Sequence, residues 1–500
     1  MLKSLFGIFL LAGALFAQGS ACEKLAGLKL PDTTITMAQS VAAGALTSPP
    51  MPNGRATNPA MFRSLPAFCR VAATLAPAKD SDIKIEVWMP ASGWNGKFQA
   101  VGNGGWSGAI NPGALAAALH RGYAAAGTDT GHSGGRAEFA LGHPEKLIDF
   151  SYRSEHEMVV KAKAIIAAYY GNGPKYSYWN GCSSGGRQGL TEAQRYPNDF
   201  DGIIAGAPAI YWTHLMFGDQ WPAHADMIDP ATHIPESKYP LIHRAALDAC
   251  DALDGVKDGV IEDPTRCHFD PKVLECKGAD APTCLTAPQV EAARKIYGGA
   301  RNPRTGQQIF PGMEPGSEMV WRALAGGPQV FQIPVDHFKY VVFKNPDWDW
   351  KTLNFDQDVA LADKTDHGLL NSINPDLKAF FAHGGKLIQY HGWNDQLIAP
   401  LNSVNYYKSV EENLGNVSAN YRLFMVPGMG HCGGGDGASN FDMVSVIEQW
   451  VEQNKAPERI VAERRADGAI ERTHPLCPYP ETAHYKGSGS TDDAANFVCK

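Results

Sequence analysis

Three residues able to share one proton pathway stand in separate glycine-bearing loops. They are Ser183 in Gly181-Cys182-Ser183-Ser184-Gly185, Asp395 in His391-Gly392-Trp393-Asn394-Asp395, and His431 in Pro427-Gly428-Met429-Gly430-His431. A serine hydroxyl is a weak nucleophile at neutral pH. An imidazole that takes its proton, itself oriented by a carboxylate, makes it an acyl acceptor. Glycine two positions to either side of Ser183 matches a strand-to-helix elbow, with Cys182 as the variable residue. Residues this common also make plain turns, so the weight rests on context. Each of the three follows an apolar segment, and the order Ser, Asp, His is the one expected of α/β-hydrolases.

Acyl transfer also needs donors for the developing oxyanion. The N–H of Ser184, directly after the nucleophile, is one; the glycine turn Gly102-Asn103-Gly104-Gly105 supplies the other from Gly104 or Gly105, with Gly105 preferred. Cys182 precedes the serine and Cys432 follows the histidine, so a disulfide between them would clamp nucleophile to base. His391, on the Asp395 loop, is read as a polar substrate contact, and Trp212 as an aromatic stacking surface for a substrate. His120, His132 and His156 have no comparable argument and read as structural. No Cys or His cluster has zinc spacing, and no glycine-rich motif has the acidic partner of a nucleotide site.

The elements that must hold these loops follow a βαβ rhythm. Ile83–Met89 alternates as a half-buried strand, and Lys97–Val101 leads into the glycine turn. His156–Tyr170 is an amphipathic helix stopped by Gly171-Asn172-Gly173-Pro174. Tyr176–Trp179 is a strand before the elbow, Arg187–Arg195 is helical, and Gly202–Gly206 is a further strand. This predicts an α/β fold: a mostly parallel sheet with helices on both faces. After Pro208 the rhythm stops and Trp, Tyr, Pro and His become frequent. An inserted lid is expected over 209–374, with the catalytic domain formed by 22–208 and 375–500. The sheet resumes at Lys386–Tyr390 and Arg422–Val426, and Met443–Gln453 is a covering helix.

The chain has 500 residues, 44% of them hydrophobic and 19% charged, with a net charge of −8. That is enough apolar material for a large core, and the negative balance removes the electrostatic basis for nucleic-acid or anionic-membrane binding. Residues 1–21 read as a secretory leader, with an apolar run from Leu5 to Ala17 too short to span a bilayer. Cys22 follows at once, and a lipoprotein anchor is the rival reading, which Gly19, standing where a lipobox prefers Leu, disfavours. Export makes the ten cysteines candidates for as many as five disulfides. Asp251, Asp254 and Asp258, with interspersed glycines, form either a solvated acidic turn or an oxygen-ligand loop for Ca²⁺; the spacing is not that of an EF-hand.

The Cys-Ser, Asp, His-Cys arrangement resembles the tannase and feruloyl esterase family of secreted serine hydrolases. Arg121-Gly122-Tyr123-Ala124, Thr128-Asp129-Thr130-Gly131-His132 and Phe200-Asp201-Gly202-Ile203 resemble family blocks too, which extends the likeness over roughly residues 22–499. The resemblance implies an α/β-hydrolase core with a large inserted lid domain. It implies disulfides Cys22–Cys69, Cys182–Cys432, Cys250–Cys267, Cys276–Cys284 and Cys477–Cys499. It also implies a structural Ca²⁺ held by the side chains of Asp251, Asp254 and Asp258 and the carbonyls of Val256 and Val260. The expected activity is hydrolysis of small esters of aromatic acids, feruloyl esters first. Gallate esters and a terephthalate monoester are the alternatives within the class, and a calcium-dependent binding protein on an inactive scaffold is the alternative outside it. Neither nucleic acid nor membrane is expected as a partner, and the sequence leaves oligomeric state open.

Overall fold

The computed structural model describes residues 21–47 and 58–500, so the leader reading falls, except for Ala21, outside the described residues. Two compact units follow one another along the chain, the first ending at Ile203 and the second running from Ile204 to Lys500.

The first unit carries β1 (Thr33–Val41), β2 (Phe68–Leu75), β3 (Ile83–Pro90), β4 (Lys97–Val101), β5 (Ala124–Thr128) and β6 (Tyr176–Cys182), in the order β1-β2-β3-β5-β4-β6. β4 pairs in parallel with both β5 and β6, whereas β1, β2, β3 and β5 pair antiparallel in succession. The sheet is therefore less uniformly parallel at its N-terminal side than the βαβ rhythm predicts. Burial accounts for the difference. β2 alternates buried and half-buried residues, a pattern an antiparallel strand tolerates, while β5, antiparallel to β3 and parallel to β4, is buried at every position, as expected where the parallel part of the sheet begins. Cys22 is bridged to Cys69 on β2, with Cα atoms 5.6 Å apart.

Helix α1 (Ser154–Tyr170) ends at Gly171, whose φ of 83° is the left-handed conformation that closes a helix. Helix α2 (Ser184–Arg195) starts directly after the elbow. Its first turn packs backbone against backbone: a Cβ on Gly181 would lie 2.4 Å from the Gly185 carbonyl oxygen, and one on Gly102 would lie 2.5 Å from Gly185 Cα. The glycines that mark the elbow in the sequence are thus required by close approach, not only by turn geometry.

Strand β7 (Gly202–Gly206) straddles the boundary at Ile203, and β8 (Lys386–Gly392) and β9 (Tyr421–Val426) follow in the order β7-β8-β9, with β8 and β9 parallel. No strand occurs between β7 and β8 among the described residues. That stretch is helix and loop, including α3 (Trp212–Asp226), and has its own core around Ile234, Tyr239, Ile242, Val290 and Trp321. Bridges Cys250–Cys267 and Cys276–Cys284 tie it. Helix α4 (Leu401–Leu414) follows the Asp395 loop. Helix α5 (Met443–Gln453) has the bounds the sequence predicts, because the Asp442 side chain caps its start and Asn454 adopts the left-handed conformation at its end. A C-terminal hairpin, Ile460–Ala466 with Ala469–Leu476, precedes the Cys477–Cys499 bridge. None of the described helices is long and apolar enough to cross a membrane.

The glycine contacts yield a direct test. Gly181→Ala forces Gly185 to move and should lower stability by about 1–3 kcal/mol. Because the displaced residues flank Ser183, activity should fall even in protein that remains folded. Denaturant melts paired with initial rates measure both, and a folded variant with an unchanged rate would show the contact to be dispensable.

Candidate active site

Ser183 caps α2 with φ 65° and ψ −124°. A positive φ in a residue with a Cβ is costly, on the order of 1–3 kcal/mol, and persists only where the surroundings enforce it. Here the Ser183 carbonyl accepts the first helical bond from Arg187 N at 3.0 Å, and the neighbouring glycines leave room for the sharp turn. The next residue, Ser184, donates its hydroxyl to the Gly105 carbonyl at 3.0 Å, so both expected oxyanion residues are linked. Gly105 has φ 53°.

A buried polar network, not read from the sequence, pins that glycine turn to α2. Gln188 accepts from Asn103 N at 3.0 Å, and its amide group donates to Asn103 Oδ1 at 3.2 Å and to Glu155 Oε1. Asn103 in turn donates to the carbonyls of Ala109 and Thr128, both at 2.9 Å. Burial pushes the Glu155 carboxyl up to about 7, so it is poised between its two protonation states near neutrality. His132 reaches the Trp106 carbonyl at 2.9 Å and stacks on Phe139, and burial holds its pKa at about 4, which keeps it an uncharged support.

In the second unit Asp395 is completely buried. Its Oδ2 accepts from His431 Nδ1 at 2.8 Å and from His391 Nε2 at 3.0 Å; its Oδ1 accepts from the N–H groups of Leu397 at 2.8 Å and Ile398 at 2.9 Å. Burial alone would raise its pKa, but His431 and His391 outweigh burial and hold the carboxyl well below its usual range. For His431 burial acts downward, and the charge of Asp395 and its hydrogen bond prevail, so the imidazole titrates above its ordinary value. With Nδ1 engaged, Nε2 is the nitrogen left to exchange protons with a substrate or nucleophile. The two loops are stitched together: Trp393 N donates to the Val426 carbonyl and Asn394 N to that of Met429, each at 2.9 Å. The His431 N–H reaches Gln396 Oε1 at 3.3 Å.

Two expected substrate contacts are corrected by burial. His391 is wholly enclosed: Nε2 faces the Asp395 carboxylate and the Ile398 carbonyl, and Nδ1 lies 2.6 Å from Ser403 Oγ. It positions the acid from behind and has no face left for a ligand. Trp212, the first residue of α3, is 1% exposed and belongs to the core. Trp221, on the same helix, instead lines a small cavity with Asp219, Phe310, Met313, Gln396 and Leu397.

The acidic loop curls through Gly255 and Gly259, with φ 92° and 82°. Asp251 accepts from the N–H groups of Asp258 and Gly259, Asp254 from Val256 N, and Asp258 from Val260 N. Asp254, Asp258 and Val260 border one cavity together with Glu262, Arg472 and His474. Burial, backed by repulsion from Glu262, Asp258 and Asp251, pushes Asp254 up to about 6 although it accepts the Val256 N–H. Such an accumulation of oxygen donors and negative charge around a cavity fits a hard cation, with Arg472, 3.0 Å from Asp258 Oδ2, as partial compensation. No described cysteine is free.

Residues 69–500 match the family model described as tannase and feruloyl esterase. An uncharacterised esterase of Xanthomonas campestris pv. campestris is 41% identical, the alignment covering 97% of this chain and 93% of that protein. A probable feruloyl esterase B-1 of Aspergillus flavus is 35% identical over 98% of each chain. The crystal structure of feruloyl esterase B from Aspergillus oryzae superposes with a TM-score of 0.89 at 31% identity, covering 97% of this chain and 100% of that one. The likeness carries the expected α/β-hydrolase core.

The buried Asp395–His431 pair predicts its own titration. By ¹⁵N NMR, His431 should titrate above the ordinary imidazole value of about 6.5. In Asp395→Asn, burial acts without the opposing charge, so the midpoint should fall below 6.5. A midpoint unmoved by that substitution would remove the electrostatic coupling.

Proposed function

The chain belongs to the tannase and feruloyl esterase family and is a carboxylic ester hydrolase, and from that premise we propose a secreted serine esterase acting on small esters of aromatic acids, feruloyl esters first. The observation that carries the mechanism is the buried Asp395–His431 pair, which supplies a base of raised basicity whose free nitrogen is fixed by its partner. In this reading Ser183 Oγ attacks the ester carbonyl carbon while His431 Nε2 takes its proton. The carbonyl oxygen, now an oxyanion, is met by the N–H groups of Ser184 and Gly105. Collapse breaks the bond to the alcohol oxygen, which leaves with the proton from His431, and an acyl-enzyme remains on Ser183. Water then attacks that acyl carbon, again giving its proton to His431, and Ser183 Oγ recovers it as the acid departs. Asp395 holds the imidazole tautomer throughout, and His391 holds Asp395.

Cys182 and Cys432 are assigned to one another as the bridge that ties the nucleophile strand to the base loop; the other eight cysteines pair among themselves. The disulfides fit an oxidising compartment. The insertion over 209–374 serves as the lid that shapes the acyl pocket. Feruloyl esters are placed ahead of gallate or terephthalate esters because relatives over 30% identical across nearly the whole chain bear the feruloyl esterase name. Calcium is assigned to the loop of Asp251, Asp254 and Asp258 with the carbonyls of Val256 and Val260, where it would supply charge neutralisation and cross-linking, not a chemical step.

Two measurements test this reading. Ser183→Ala should lower kcat by about 10⁴-fold or more, and kcat/KM should rank methyl ferulate above methyl gallate and a terephthalate monoester. A variant keeping a tenth of wild-type activity would dismiss Ser183, and gallate in first place would move the substrate class. Chelation should lower Tm and leave initial rates at low temperature nearly unchanged. Immediate, reversible loss of kcat without loss of fold would make the ion catalytic.

A further inference from the structure

A second cluster of ionisable side chains lies in the first unit, where α1 and α2 meet the loop after α2. His156 on α1, Glu192 on α2 and Asp199 in the loop each present a ligand atom, all within 4.8 Å of one another. His156 Nδ1 is 2.6 Å from Asp199 Oδ2, and the imidazole stacks on Tyr196 with ring centroids 3.8 Å apart. Glu192 is 1% exposed, neither of its carboxylate oxygens accepts from a donor group among the described residues, and its carboxyl faces that of Asp199. A buried carboxyl without a donor is an unstable arrangement unless a proton or a cation completes it. Burial raises the Glu192 pKa well above the usual range, with Asp199 and Glu155 adding to it.

We propose that His156, Glu192 and Asp199 form a binding site for a divalent transition-metal ion of the zinc type. Three ligands about 2.0–2.2 Å from a common tetrahedral centre lie about 3.4 Å from one another. The present spread therefore needs only small side-chain rotations. The donor set selects the class: one imidazole nitrogen and two carboxylate oxygens suit Zn²⁺ and its neighbours, whereas Ca²⁺ requires six to eight oxygens. The metal takes Glu192 as a carboxylate, so a proton held on that group is released to solvent on binding. Lys163 Nζ donates to the Asp199 carbonyl at 2.5 Å, a bond to the backbone oxygen and not to the carboxylate. The ion would join the far end of α2, the helix that begins at the Ser183 elbow, to α1. Its role is cohesion of the nucleophile's scaffold, not chemistry. The sequence carried no sign of it, since the three residues are 36 and 7 positions apart.

Calorimetric titration of Zn²⁺ into the calcium-saturated enzyme tests this, with wild type, Glu192→Gln, Asp199→Asn and His156→Ala compared and circular dichroism confirming each fold. Wild type should bind one equivalent at micromolar Kd or tighter and gain several degrees in Tm. Each variant should lose at least tenfold in affinity and the Tm gain with it. Co²⁺ in place of Zn²⁺ should give the visible bands of a four-coordinate nitrogen and oxygen site in wild type alone. His156→Ala, at a partly exposed position, keeps the comparison interpretable if Glu192→Gln does not fold. Failure of wild type to bind, or equal binding by wild type and all folded variants through other histidines, would overturn the proposal.

Discussion

An ionised carboxylate with no access to water must be compensated on every lone pair, and Asp395 meets that demand. Two imidazoles and two backbone N–H groups converge on it. The backbone donors, from Leu397 and Ile398, oblige the loop after β8 to curl back on its own side chain. His391 arrives from the end of β8 itself, so the strand and the loop are fixed by the same oxygen atoms. Remove that charge and His431 loses both its orientation and its raised basicity, because burial then acts on the imidazole unopposed. The parallel pairing of β8 with β9 brings the two loops to one end of the strands, and Trp393 and Asn394 bind the carbonyls of the β9 side.

The first unit solves a different problem, holding a residue with a Cβ at positive φ. Backbone contacts between Gly181, Gly102 and Gly185 leave α2 nowhere else to start, so Ser183 has to take the strained conformation. The strain is local, and the restraint is shared. Gln188 ties α2 to Asn103, Asn103 ties the glycine turn to the end of β5, and Ser184 ties the elbow to Gly105. Preorganised donors of this kind avoid reorganisation at the moment charge develops, which is where acyl transfer gains most.

Much of this was legible in the sequence, and the limits follow from physics. The elbow is visible because close backbone approach admits only glycine at its flanks. The bounds of α5 are visible because Asp442 and Asn454 are chemical stop signals. β5, in contrast, is Ala-Ala-Ala-Gly-Thr, with little intrinsic strand preference, and becomes a strand through tertiary packing. His391 and Asp395 are four residues apart, which says nothing about whether an imidazole faces the pocket or the core. The Asn103–Gln188 contact joins residues 85 apart and has no local signature. Trp212 illustrates the general ambiguity of aromatic residues: the type suits a stacking surface and a core equally, and only burial separates them.

Four buried acids show how environment divides labour among identical groups. Asp395, with four donors, is held below its usual range; Glu155, with a serine hydroxyl and the Gln188 amide, sits near 7; Glu192, buried with no donor and facing the Asp199 carboxyl, is pushed well above its usual range. Asp219 is raised by burial first and then by Asp395 itself. That last dependence is the informative one, because two neighbouring anions cannot both remain ionised in a medium that screens them weakly. The site with more donors is favoured in its charged form, and the other is pushed toward protonation. Burial thus pushes Asp219, which lines the cavity beside Gln396, toward the protonated form, the form able to donate a hydrogen bond. The charge on the acid that supports His431 adds to the effect of burial on Asp219, so the two carboxyl groups are electrostatically coupled.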